Sequence, residues 1–466
     1  MTVIKVDSKS AFYTSLERRI RKQGGHSPRV KFANNYYSQI PLTELQLKSW
    51  ETVVGTVHSS WGFFKKFDGK KSKVRAFNPT IKKYGFETGQ TIIEVAARNL
   101  PFLLDSIRLC LNNESLILSE VQQCMLNVLR SGSKTIIIED QPPNETLIHF
   151  EVKRVTNLSH VERKIRKILL LVHQVNQDFV SMRQQMLMWS DEIANGPRLD
   201  SHEEELAAFL RWLYDNNYTF LGYEEYEVAT GKKDVQRIGG ASLGLCRKHL
   251  VVSGAPFRVS GRNRYQLIVD KLSERSNIHR RAYCDTITIV RPGETAGTRR
   301  ACRFIGLFTS SVFNQNPVEI PIVRKKIEGV FKTGEISPTS HKGRELSRIV
   351  EVFPREELLI ATQDELADMV LASLALQERQ VVRLLVRPSP CFVSLLLYMP
   401  RDTYNTALRI KVQDLLCRRF AATGCEFITY FSESALTRTQ FILQVSSESS
   451  KSYDLAKLET EIMQLT

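Results

Sequence analysis

The sequence predicts an α+β fold of several domains, with small antiparallel sheets packed under helices. Three observations carry that expectation. The order strand, helix, strand, strand, helix is legible twice, over residues 91–195 and again from residue 393 onward. A stripe of apolar residues at alternating spacings of three and four runs through residues 159–195. At 466 residues the chain also exceeds what one hydrophobic core organises, since roughly 100–200 residues make a domain.

Residues 1–90 are mixed in pattern, with a helix expected over residues 42–60 and a lysine-rich, glycine-punctuated stretch after it. From Thr91 the pattern sharpens. TIIEVAA is a buried strand, Asn99-Leu100-Pro101 breaks it, and PFLLDSIRLCLN carries apolar residues at helical spacing. LILSEVQQCMLNVLR and TLIHFEVKRV supply the next two strands, with turn-rich SGSK between them. A long helix follows, opened by a Ser159/Glu162 capping box and stopped by Asn195-Gly196-Pro197. Ile165, Ile168, Val172, Val175, Phe179, Met182, Met186, Trp189 and Ile193 form its heptad stripe. Such a helix spans about 50 Å at 1.5 Å per residue, more than a small sheet covers. Part of the stripe is therefore expected to meet another helix, either the next one in this chain or one from another subunit.

Residues 198–379 read as an α+β middle region. A helix opens with a second capping box, Ser201/Glu204, and leads into the strand YTFLGYEEYEV and a Gly231-Lys232 turn. YCDTITIV and CRFIGLFTSSVF flank RPGETAGT as a β-hairpin. Helices are expected at residues 321–331, 343–353 and 362–379, the last with a Thr362/Glu365 capping box. The last region, residues 380–466, starts with VVRLLVR and VSLLLYMP around a Pro388 to Pro390 turn. In the helix that follows, Ala407, Leu408, Val412, Leu415 and Leu416 share a face and Gly424 closes it. EFITYFSES and TRTQFILQV form another strand pair, before a final helix. Residues 1–90, 91–197, 198–379 and 380–466 are thus the expected segments. The second and fourth follow a ferredoxin-like plan, and the closing strand of the fourth is missing unless VVRLLVR supplies it.

With 42% hydrophobic and 25% charged residues the composition is that of a globular protein. The opening residues lack an apolar core and no run of about 18 uncharged apolar residues occurs, so neither secretion nor membrane spanning is expected and a cytoplasmic location is. Eight cysteines without a CxxC pair read as buried reduced thiols, and nine histidines without zinc-ligand spacing give no metal site. The net charge of +15 invites a nucleic-acid partner. The basic runs KKFDGKKSKVRAF, ERKIRK and HRRAY are short and separated, which favours a solvated surface or docking onto an acidic partner; a basic nucleic-acid-binding module is the alternative reading.

No GxGxxG, GxxxxGK[ST] or GxSxG is present, so neither a cofactor nor a catalytic residue is expected in these residues. GGASLGL reads as a loop, TSSVF as a strand end, and Glu224-Glu225 and Glu356-Glu357 as solvent-facing charge. Two turns remain, ARNLPFLLDS and YMPRDTYNT. Each precedes a helix whose N-terminal N–H groups could hold a carboxylate, unless Asn99 and Asp402 simply cap those helices with Pro101 at N1.

TIIEVAARNLPFLLDSI, DNNYTFLGYEEYEV, SNIHRRAYCDTITIV, CRFIGLFTSSVFNQNPVEIPIVRKKI, FPREELL and YMPRDTYNTALRIKVQDLL together, in this order, resemble the N-terminal half of the large bacterial NAD-specific glutamate dehydrogenases. The resemblance covers most of residues 91–445. It implies ACT-like domains with a PAS-like segment between them, a regulatory role, and a catalytic domain later in the same polypeptide that binds NAD. It also implies a homo-oligomer and an amino-acid effector held at the turn after the first strand of an ACT unit. Carried onto this chain, the effector turn is Asn99, Leu100, Pro101, Phe102 and Asp105, and in the second unit Arg401 and Asp402. The ACT turn usually has a glycine after its proline, where this chain has Phe102. The family commonly has acidic residues before it, where Ala97 and Arg98 stand.

Overall fold

The computed structural model describes residues 4–131, 134–138, 141–196, 200–229, 235–247, 264–293, 298–376, 379, 381–431, 435–446 and 454–465. They form two compact units, residues 1–176 with 276–281, and residues 177–275 with 282–466.

In the first unit the N-terminal stretch folds into helices α1 (Lys9–Lys22), α2 (Ser27–Tyr37), α3 (Leu42–Gln46) and α4 (Trp50–Phe64). The single helix expected over residues 42–60 is thus two, because Ser49 Oγ accepts from Thr52 N at 3.1 Å and starts a new helix. The lysine-rich stretch contains strand β1 (Lys73–Phe77), followed by the one-turn helix α5 (Ile81–Tyr84). Then come β2 (Gln90–Arg98), α6 (Leu103–Asn113), β3 (Leu118–Ser131), β4 (Lys134–Ile138), β5 (Glu145–Lys153) and α7 (Leu158–Ala194), whose residues through Asn176 belong here. The sheet order is β1-β2-β5-β3-β4, every pair antiparallel. A ferredoxin-like sheet normally places its last strand beside the first; here β1, which precedes the strand, helix, strand, strand, helix run, takes that edge. Side chains alternate across the sheet. Ala96, Cys124, Leu126, Val128 and Leu147 face one core with Phe12, Phe32, Tyr36, Tyr37, Trp50 and Phe64 of the N-terminal helices. Ile93, Val95, Ile148, Phe150 and Val152 point the other way and are equally buried.

The second unit holds the rest of α7, then α8 (Ser201–Trp212) and a sheet of β6 (Tyr218–Ala229), β7 (Val235–Arg237), β8 (Leu243–Gly244), β9 (Gln266–Arg275), β10 (Tyr283–Pro292) and β11 (Thr298–Phe308). Its order is β7-β6-β11-β10-β9, with β8 paired to β6. The expected hairpin is β10 against β11, and part of its RPGETAGT turn lies outside the described residues, as do the Gly231-Lys232 turn, Pro197 and two residues of SGSK. Helices α9 (Ser310–Asn314), α10 (Val323–Thr333), α11 (His341–Glu351), α12 (Arg355–Ile360) and α13 (Gln363–Leu376) follow. TSSVF is therefore a helix start rather than a strand end. The last sheet contains β12 (Arg383–Pro388), β13 (Phe392–Pro400), β14 (Gly424–Phe431) and β15 (Leu436–Gln444), with α14 (Thr406–Arg419) and α15 (Leu455–Met463). Its order is β12-β13-β15-β14. VVRLLVR does supply the missing edge strand, antiparallel to β13, and both ferredoxin-like sheets are closed by a strand that precedes them in the chain.

Several local expectations need correction. The long helix is capped by Asn157, whose Oδ1 accepts from His160 N at 3.1 Å, and not by Ser159; Glu162 instead accepts from Ala76 N of β1 at 2.9 Å. The next helix is capped by Asp200 rather than Ser201, with two N–H donors at 2.8 Å. The Thr362/Glu365 box is present and reciprocal, at 3.3 and 2.8 Å. Within GGASLGL, read as a loop, Leu243 and Gly244 form β8. Glu224, Glu356 and Glu357 are not solvent-facing: Glu224 and Glu357 are buried, and burial raises the Glu356 carboxyl above its ordinary range, although Lys271 opposes this. Each has a cation at hand. Glu357 meets Arg387 at 2.5 Å, Glu356 meets Lys271 at 2.9 Å, and Glu224 meets Arg237 at 3.2 Å.

Candidate functional site

The first candidate turn lies between β2 and α6. Residues 91–97 are buried without interruption, so the strand is fixed, and Pro101 ends it because it cannot donate to a ladder. Asn99 does not cap α6. Its backbone N–H donates to Asn144 O at 2.9 Å and its Nδ2 to Pro143 O at 3.2 Å, tying the turn to the entry of β5. Leu100 is half-buried and Pro101 exposed, with Pro101 O accepting from Asn176 Nδ2 at 3.2 Å. Phe102 stands at the helix boundary with φ 65° and no side chain caps the helix. This is the position where an ACT turn usually has glycine, and a bulky residue in left-handed backbone costs roughly 1–2 kcal/mol.

That strain is held by a segment from elsewhere in the chain. His279 N donates to Ser106 Oγ at 3.1 Å, its ring centroid lies 5.0 Å from that of Phe102, and its Nδ1 is 3.6 Å from the Asp105 carboxylate. His279 itself has φ 68°, and the loop is braced by the Ser276 hydroxyl, which donates to Ile278 O at 2.7 Å. Residues 276–281 therefore cover the turn. Asp105 is the charged residue of the predicted set that lies beside His279.

Arg401 and Asp402 lie exposed in a single 3₁₀ turn, where Arg401 N donates to Ala435 O at 2.9 Å. Asp402 does not cap α14; Asn405 does, accepting from Leu408 N at 2.9 Å. The structure does not bring Arg401 and Asp402 to the Asn99–Asp105 set within one unit.

The stripe of α7 is covered by this chain. Ile165, Ile168, Val172, Val175, Met182, Met186, Trp189 and Ile193 are buried and Phe179 is half-buried. In the second unit the helix meets both a sheet and a helix: Trp189 Nε1 donates to Tyr223 Oη of β6 at 3.2 Å, and Ser190 Oγ to Ala207 O of α8 at 2.9 Å. Asp178 of the same helix accepts from Gly244 N at 2.8 Å and from Arg247 Nε at 2.5 Å.

Sequence reasoning missed a buried polar row beneath the N-terminal helices. Arg75, Glu94, His149 and Gln122 sit side by side on β1, β2, β5 and β3. Glu94 accepts from Arg75 Nε at 2.7 Å and from Ser60 Oγ at 2.5 Å, with His149 Nδ1 at 3.2 Å. Burial alone pulls the His149 imidazole down, but Glu151 and Glu94 outweigh it and hold it up at about 9. The signal in the sequence was a charged or polar residue, Glu94 and His149, inside the two largely apolar runs TIIEVAA and TLIHFEV. The cysteines, all free, are buried or half-buried, and burial pushes thiols such as Cys110 up to about 11. Among the described residues no cluster of His, Cys, Asp and Glu is placed to hold a metal ion, and no helix is long and apolar enough to cross a membrane.

Two sheets of ACT type, a run of helices before the second and a separate antiparallel sheet between them define an ACT-domain protein of mixed α+β architecture. Comparison with known families agrees. Residues 32–168 match the glutamate dehydrogenase ACT1 domain, residues 320–379 its helical motif 1, and residues 383–466 its ACT2 domain. Among curated proteins, the NAD-specific glutamate dehydrogenase of Pseudomonas aeruginosa is 33% identical over 100% of this chain and 30% of its own length. That of Halomonas elongata is 34% identical over 93% of the chain and 28% of its own length, and that of Mycobacterium tuberculosis 27% identical over 76% and 22%. The chain belongs to the NAD-specific glutamate dehydrogenase family, as an N-terminal region carrying its ACT and helical-motif domains. It spans less than a third of the length of each of those relatives.

Proposed function

We propose that this chain is the regulatory and assembly region of an NAD-dependent glutamate dehydrogenase. The whole enzyme would oxidatively deaminate L-glutamate to 2-oxoglutarate in the cytoplasm, with NAD and substrate bound by a catalytic domain outside these residues. The observation that carries this is the collinear run of ACT1, helical motif 1 and ACT2, in a chain that aligns along its full length with one relative while covering 30% of it. An amino-acid effector would act by preferring one conformation of the region over another, and subunit contacts would carry the effect to the catalytic domain. At the first turn, an effector would have to displace His279 from Phe102 and Ser106, so occupation and movement of the 276–281 loop would be one event.

The 466-residue chain, assayed with glutamate and NAD, is expected to give no NADH; measurable turnover would sink the reading. A thermal-shift screen against the common amino acids tests sensing. A stabilising amino acid should lose its effect in Asp105→Ala or in Arg401→Ala, and an effect unchanged in both would place the effector elsewhere. Size measurements over a range of concentration test assembly into a homo-oligomer.

A further inference from the structure

Basic charge is unevenly distributed in this chain. Residues 1–90 hold seventeen Lys and Arg against six Asp and Glu, a net of +11 out of +15. Part of that excess lines a cleft of about 550 Å³ in the first unit, walled by Arg19, Lys22, Trp50, Glu51, His58 and Lys83. Its walls come from the end of α1, the first half of α4 and the short helix α5. The volume is that of a small-ligand pocket.

The cations are arranged rather than scattered. The Arg19 guanidinium lies over the Trp50 ring, 4.5 Å from its centroid, and Trp50 is itself stacked on Phe12 at 5.5 Å. The guanidinium thus rests on a buried indole, and Arg19 Nε is buried without a hydrogen-bond partner. Arg19, Lys22 and Lys83 form no ion pair among the described residues, whereas Arg75 and Arg130 of the same unit are matched to Glu94 and Glu145. Arg29 Nη1 lies 3.2 Å from His58 Nδ1. A guanidinium can only donate, so Nδ1 is the acceptor and the imidazole proton sits on Nε2 as a further donor. Burial, Arg29 and Lys65 together hold that imidazole below its ordinary pKa. Basic residues in the last turn of α1 do complement the helix dipole. That explains neither Lys83 on another helix nor the buried, unpartnered N–H.

We propose that this cleft binds a compact small-molecule polyanion carrying two or more phosphate groups, held by the Arg19 guanidinium, the Lys22 and Lys83 ammonium groups and the His58 Nε2–H. Phosphate suits the set, because its charge is multiple and tetrahedral, matching point-charge lysines converging from different elements around one planar guanidinium. The bound anion would relieve repulsion among cations that have one carboxylate, Glu51, in the same lining.

Calorimetric titration of the 466-residue chain with inorganic triphosphate and pyrophosphate tests it, with sulfate as a singly phosphate-sized control. Saturable binding at one site is expected, weakening as salt is raised. The double variant Lys22→Glu/Lys83→Glu should lose at least about tenfold in affinity, while Lys70→Glu/Lys71→Glu, the same charge change outside the cleft, should stay within about twofold. All four lysines are exposed, and a circular dichroism melt checks that both variants fold. No binding of triphosphate, sulfate binding as tight as triphosphate, or equal loss in both variants would overturn the proposal. So would a single-stranded RNA binding far more tightly than triphosphate and competing with it, which would mark a nucleic-acid surface.

Discussion

His149 is 1% exposed and sits between Glu94 and Glu151, at 3.2 and 3.6 Å. Its folded pKa, about 9, lies above the ordinary imidazole value of 6.5. A raised pKa means the folded state binds the proton more tightly. The resulting stability is complete below about pH 6.5 and is lost as pH rises through about 9. Glu94 works in the opposite direction: burial raises it, His149 and Arg75 lower it further, and its net depressed pKa gives stability that disappears on acidification. The urea midpoint of the wild type should therefore fall between pH 7 and 9.5 by more than that of His149→Gln. Parallel curves for the two proteins would show that His149 is neutral in the fold. Such pairs were illegible in the sequence because their partners are distant in the chain, as with Glu357 and Arg387. Caps were nearly legible: Asn157, Asp200 and Asn405 each stand one to three residues from the residue expected, Ser159, Ser201 or Asp402. Ser, Asp and Asn cluster there, any of them can accept an N–H, and only the direction of chain entry decides among them. Phe102 hid its left-handed backbone, because glycine is the residue that advertises one.

At the level of elements, α7 is 37 residues long, about 55 Å at 1.5 Å per residue, and its heptad pattern named the residues that are buried. The pattern could not say what buries them, because a 3.5-residue period fits a sheet with a crossing helix as well as a partner coil. Ile165→Ala should cost about 2–5 kcal/mol, as removal of a fully buried aliphatic does. Leu170→Ala, at a position 67% exposed, should stay within about 0.5 kcal/mol. Equal losses measured by urea unfolding would mean that Leu170 is covered in solution. At the start of α13 the reciprocal box makes Thr362→Ala worth about 1 kcal/mol, and Glu365→Ala less, since Thr362 alone still accepts one helix N–H. Identical wild-type midpoints would refute the cap. Among the elements the sequence did not show, β1 and β4 are five residues each. Strands so short carry too few alternations to stand out from lysine-rich or turn-rich surroundings, and their place comes from the neighbouring strand they pair with.

At the scale of the whole molecule, a buried ion pair links two domains within the second unit. Arg387 on β12 meets Glu357 on α12 at 2.5 Å, and Gln440 on β15 donates to the same carboxylate at 3.0 Å. The helical motif is thereby joined to the second ACT sheet through side chains that are 8% and 1% exposed. Lys326 of α10 lies close by, donating to Leu358, Leu359 and Ala361 carbonyls at 3.1, 2.9 and 2.7 Å, where burial and the Arg387 charge pull it down to about 8. Removing Arg387 alone leaves Glu357 as an uncompensated buried carboxylate, so Arg387→Met should cost about 3–5 kcal/mol. Removing both charges is different, because two well-packed apolar side chains need no compensation. Arg387→Met/Glu357→Leu should recover most of the loss, less what Gln440 forfeits, and Ser394 remains for that amide at 3.3 Å. If the pair is what joins helical motif to sheet, Arg387→Met should also split calorimetric unfolding into two transitions, and the double variant should restore one. Should the single variant unfold in one transition with unchanged stability, the two domains are held together by their apolar contacts and the ion pair is incidental.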